Sequence, residues 1–249
     1  MTSEILRLIG RGAAAGTVAG VLSAGVSYVL GEPWIERAIA LEEAAAHAEG
    51  AAAHVEVFSR AAQQAGLVVV SVLTGLAIGV LFGVVYAVWH RRDLAVDPWR
   101  RAIRLAVMGL IGITLIPFIR YPGNPPAVGD PATVDARTTW YLAAVLIGVA
   151  TVTAVWQLHH RLAERGAAAS TRQSAVAVAV VVGLAATWLL PANTDAIDVP
   201  AELIWNFRLA SLATLVVLWL SLGAAFGLLT ERATGRTSKR TPPVELTPR

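Results

Sequence analysis

Apolar residues along this chain gather into six long stretches, roughly residues 12–30, 66–89, 103–119, 138–158, 173–190 and 209–229, with most charged residues lying between them. Each is near the ~20 residues that an α-helix needs to cross ~30 Å of hydrocarbon. None shows the two-residue alternation of a barrel strand, and lipid offers no partner to an exposed backbone amide, so helices are the predicted form. The expected fold is all-α: a polytopic membrane bundle of six transmembrane helices, arranged as three hairpins in a single domain over residues 1–230. The remainder, 231–249, is rich in Thr, Pro and Arg without apolar periodicity and is expected to be a disordered cytoplasmic tail.

Within the spans small residues recur. Gly75, Gly79 and Gly83 follow each other at four-residue spacing, and "AAAGTVAG" fills 13–20, so two helix backbones can approach closely there. Proline marks the far end of each outward helix, at Pro33, Pro117 and Pro191, and an arginine opens each returning one, at Arg60, Arg137 and Arg208. This spacing suggests three related hairpins; frequent Pro and Arg at interfacial helix ends would produce it too.

Charge orients the bundle. Six spans put both termini on one side, and that side collects fifteen of the twenty Lys and Arg residues. The positive-inside bias therefore places both termini in the cytoplasm. Eleven of the seventeen acids fall on the other side, making an acidic outer face that attracts cations. A mean hydropathy of +0.62 and only 15% charged residues agree with a multi-pass protein of the cytoplasmic membrane. The basic residues sit in short loops beside spans, where they set topology and meet anionic lipid, so nucleic acid is not an expected partner. Arg7 and Arg11 precede a first span longer than the apolar core of a cleaved signal, and an uncleaved anchor is expected.

Chemistry is sparse. There is no cysteine, so a metal would need oxygen and imidazole ligands. No G-x-x-x-x-G-K-[ST] loop is present, the one lysine is Lys239, and no acid crosses the membrane in relay; the chain is expected not to be an enzyme and to hold no permanent cofactor. Hydroxyls such as Thr17, Thr153 and Thr187 are the polar groups of the span centres and are expected to bond their own helix backbone.

Two segments stand out. The first outer loop, 31–64, has helix-forming composition, with Pro33 suited to a first turn. There Glu36, Glu43, His47 and His54 fall on one stripe, with Glu32 at its start, and carboxylate plus imidazole suits a divalent ion such as Co²⁺ or Ni²⁺. The same spacing also describes an amphipathic helix with its polar stripe in water. The second segment is "RYPGNPPAVGDP", 120–131. Its prolines remove donors and push their predecessors toward extended conformations, which makes a stiff cap rather than a floppy coil. Tyr121, Pro122, Asn124, Pro125, Pro126 and Asp130, with Arg137 behind them, are its candidate gate residues.

The stretch "PFIRYPGNPPAVGDPATVDART" (117–138) resembles the characteristic turn of the CbtA family, of the type found in actinobacteria. "GEPWIERAIALEEA" (31–44) and "LIWNFRLASLATLVVLWLSLG" (203–223) are similar to the family as well, so the resemblance covers most of residues 5–229. It implies a subunit for uptake of cobalt, a divalent cargo rather than a cofactor, and a small single-span partner bearing histidines. Uptake through a homo-oligomer is equally open. A rival reading makes the chain a non-transporting scaffold or accessory subunit that docks a partner through the proline-rich turn.

Overall fold

The computed structural model describes residues 2–48, 58–90, 97–126 and 128–238, and these are helical apart from short connections, with no strand among them. Eight α-helices follow in order: α1 (Thr2–Val26), α2 (Glu32–Ala48), α3 (Arg60–His90), α4 (Pro98–Gly109), α5 (Ile116–Arg120), α6 (Val134–Glu164), α7 (Ala169–Thr187) and α8 (Ala201–Ser238). Two π turns, Ser27–Gly31 and Leu110–Leu115, join α1 to α2 and α4 to α5 without a break. Among the described residues six helical rods are thus long and apolar enough to cross a membrane: Ser3–Ala48, Arg60–Trp89, Pro98–Arg120, Pro131–Glu164, Ala169–Thr187 and Ala201–Ala233.

The π turns explain where the rods differ from expectation. A proline inside an α-helix removes one amide donor and clashes with the carbonyl four residues back. Pro33 and Pro117 each lie two residues beyond a π turn, whose bonds reach one residue further: Glu32 N–H donates to Ser27 O and Ile116 N–H to Ile111 O. The wider turn lets the helix continue, so the first rod runs to Ala48 instead of ending at residue 30. Pro191 has no such turn and follows the end of α7. At the other end of the chain α8 continues to Ser238, beyond the residue 231 at which sequence starts the tail.

The chain divides into two compact units, each best described by itself. The first comprises Met1–Ala24, Ala65–Val107 and Val217–Arg249. Its α1 and α3 run antiparallel along a seam of glycines. A Cβ on Gly12 would come 2.2 Å from the Gly79 carbonyl oxygen, one on Gly16 2.2 Å from that of Gly75, and one on Gly20 2.7 Å from that of Ser71. The four-residue spacing of Gly75, Gly79 and Gly83 therefore does serve close backbone approach, against a matching row on α1. Beside the seam, Phe226 of α8 packs edge-on to Phe82 with centroids 5.1 Å apart and tilted on Tyr86 at 4.7 Å. Gly227 leaves room for the Trp99 ring, and Arg101, 1% exposed, lies 5.9 Å from the Tyr86 ring.

The second unit comprises Gly25–Gln64 and Met108–Val216. Gly148 of α6 meets Gly112 in the second π turn so closely that a Cβ would overlap the Gly112 oxygen, and Gly183 of α7 admits the Thr151 side chain. Gly166, at φ 69°, closes α6 in the left-handed conformation that a glycine adopts without strain. Hydroxyls within both units bond their own helices as expected, Thr17 to Ala13 O, Thr153 to Val149 O and Thr187 to Leu184 O.

The seam gives a prediction. Gly16→Ala should destabilise the protein by about 1–3 kcal/mol, because backbone on both sides must separate. Gly10→Ala, at a position with nothing within 4 Å, should not. Thermal unfolding in a mild detergent distinguishes them; equal midpoints would refute the seam.

Candidate functional site

The acidic helix and the proline-rich turn both belong to the second unit, and they have different characters. On α2, Glu32 is buried. Arg60 NH2 lies 2.5 Å from its Oε1, and Gln64 Nε2 donates to the same oxygen at 2.9 Å. Both partners open α3, so this carboxylate fastens α3 to α2. The physical reason is its position at the π turn, where a buried charge needs a counter-charge and hydrogen bonds. Glu36, Glu43 and His47 are exposed on α2, as is Glu42. No group of three or more His, Asp or Glu among the described residues is placed to hold a metal ion, and His54 lies outside those residues.

The turn is built differently. Between Arg120 and Pro131 four prolines lack an N–H, so this stretch has more carbonyls to satisfy than donors to offer. Side chains supply the missing donors. Arg208 of α8 donates from Nε to Gly123 O at 3.2 Å and from NH2 to Asn124 Oδ1 at 2.8 Å. Arg137 of α6 donates to Asp130 O at 3.2 Å. The segment after α7 is served in the same way, with Arg120 NH2 donating to Leu190 O at 2.7 Å and Tyr121 OH to Pro191 O at 2.6 Å.

Asp195 ties these pieces together. Its Oδ2 accepts from Thr133 Oγ1 at 2.9 Å and Asp130 N at 3.3 Å, and it lies 3.4 Å from Arg137 Nε. Asp195 N–H in turn donates to Asn193 Oδ1 at 3.1 Å. Gly129 sits against this pair at φ 105°, a conformation that disfavours any side chain; a Cβ there would lie 2.6 Å from Arg137 NH1. Asp130 begins the short 3₁₀ turn Pro131–Thr133, its Oδ1 accepting from Ala132 N at 2.8 Å.

Around the turn opens a cavity of about 1090 Å³. Tyr121, Pro122, Asn124, Pro125, Pro126 and Arg137 line it, so six of the seven gate residues named from sequence come together; Asp130 lies beside them. The lining also includes Arg120, Tyr141, Asn193, Asp195, Phe207 and Arg208. Of these, Arg120 and Tyr141 carry no sequence signal beyond their helix-end positions, and Asp195 and Arg208 are legible only as boundary charges.

Six helices long and apolar enough to cross a membrane, with a ligand-sized cavity in the second unit, fit a polytopic membrane protein. The chain belongs to the CbtA family, described as probable cobalt transporter subunits, whose model matches residues 5–231. It is therefore a multi-pass cell-membrane protein of a family of probable cobalt transporter subunits. No curated protein and no solved structure matches it.

Replacing Asp195 by Ala strips Thr133 and the Asp130 amide of a shared acceptor and Arg137 of its counter-charge, and should cost about 1–3 kcal/mol. Asp195→Asn, which keeps an acceptor oxygen, should lose less. Protease cleavage of the turn in native membranes reads both, and equal resistance of all three proteins would refute the bracing role.

Proposed function

We propose that this chain is the membrane subunit for Co²⁺ uptake, with both termini in the cytoplasm, and that the exposed face of α2 gathers the ion outside. The observation that carries this reading is the separation of roles on α2: Glu32 is tied to Arg60, whereas Glu36, Glu43 and His47 remain exposed. Two carboxylates and an imidazole along a helix raise the local concentration of a hydrated divalent cation and its rate of arrival. They do not enclose it. Transfer into the membrane then calls for ligands from elsewhere, which a small histidine-bearing single-span subunit or a second copy of this chain would provide.

A second reading, an accessory subunit that docks a partner through the proline-rich turn, is favoured by the bracing of that turn by Arg137 and Arg208. A backbone fixed in this way offers a partner a surface that needs little further ordering.

Uptake of radioactive cobalt by cells expressing the chain, with and without the small partner, tests the first reading. Glu36→Gln/Glu43→Gln/His47→Ala should lower uptake about tenfold at low cobalt and much less at saturation, since it removes attraction rather than passage. If the intact chain gives no uptake above background in either setting, the transport role is wrong. If it transports and the triple variant transports equally well, capture does not occur on α2. Reporter fusions at the two ends should both read cytoplasmic.

A further inference from the structure

The cavity at the proline-rich turn is a poor place for a bare cation. Its lining carries Arg120, Arg137 and Arg208 against one carboxylate, Asp195, and even with neighbouring Asp130 counted the balance remains positive. It is also too large. A metal ion with six waters fills roughly 200 Å³ by the ~30 Å³ that each water occupies, whereas this space of about 1090 Å³ has the size of a small-molecule site.

The guanidinium groups retain donor capacity. Each has five N–H bonds, and Arg120 directs NH2 to Leu190 O while its Nε is buried with no hydrogen-bond partner among the described residues. Arg137 Nε faces Asp195 Oδ2 at 3.4 Å without the alignment of a hydrogen bond. The arginines are also held in place: Arg120 lies 5.5 Å from the Tyr121 ring and 5.9 Å from that of Trp188. Fixed, partly unsatisfied guanidinium forks beside aromatic walls match the oxygens of carboxylates, which they bind in pairs.

We propose that this cavity binds a small organic acid bearing two or more carboxylates, free or as its chelate with a divalent metal. With three carboxylates a 1:1 chelate of a divalent ion keeps a net charge of about −1, so the arginines attract the same cargo that they would repel as a bare ion. The site is distinct from the cation-gathering face of α2.

The test is titration of the purified full-length protein in neutral detergent with citrate, used as a tricarboxylate probe without metal, so that its outcome is independent of the cobalt uptake assay. The parent should bind and added salt should weaken binding. Arg120→Gln should weaken it about tenfold, the worth of one charge-assisted contact. Asn193→Asp keeps the acceptor for the Asp195 amide, lowers the cavity's charge by one, and should weaken binding about threefold; it carries the test alone if Arg120→Gln unfolds. Absence of binding to the parent, binding unchanged in a folded variant, or a co-purifying phospholipid that excess citrate does not displace would overturn the proposal.

Discussion

In hydrocarbon and at its margin, every backbone carbonyl and amide must find its partner within the protein. Proline subtracts a donor wherever it appears, and this chain has twelve of them. Two responses follow. Where the helix is to continue, at Pro33 and Pro117, a π turn just before the ring widens the hydrogen-bond ladder. Where the helix stops, the surplus carbonyls are met by long side chains, Arg208 at Gly123, Arg137 at Asp130 and Arg120 at Leu190. The arginines that opened two of the returning helices in the sequence thus act as replacement donors for the loop, and their charge is a by-product that gives the cavity its sign.

Within the first unit, a different constraint decides the packing. Lipid tails are as apolar as leucine side chains, so α1 and α3 gain little from burying apolar surface against each other. Removing side chains at Gly12, Gly16, Gly20, Gly75 and Gly79 brings the backbones into contact. The large apolar side chains remain available elsewhere, as Phe82, Tyr86 and Phe226 show.

The six rods and the glycine seam were legible because each depends on a local pattern, an apolar run or a four-residue spacing. The ends of the rods were less so: a π turn has no composition of its own, and "SYVLGEP" reads as a stop where the helix passes through. For the site, the proline-rich turn was legible as a stiff cap, because proline acts on its own residue and the one before it. Its bracing was not, since Asp195 lies more than sixty residues from Asp130 and Thr133 and nothing local links them. Glu32 is the second residue whose surroundings no local pattern gives. Its place among acids reads as a candidate ion ligand, and only the fold shows that it is buried against Arg60.

The π turn at Ser27–Gly31 holds one residue more than an α-helical turn would. Each residue of an α-helix advances the side-chain direction by about 100°. The extra residue therefore sets the azimuth of everything beyond it, including Glu36, Glu43 and His47. Loss of a single residue from this turn would swing the acidic stripe by more than a quarter of a revolution while leaving every residue in it unchanged. In this chain an insertion or deletion remote from the charged positions is a means of aiming them.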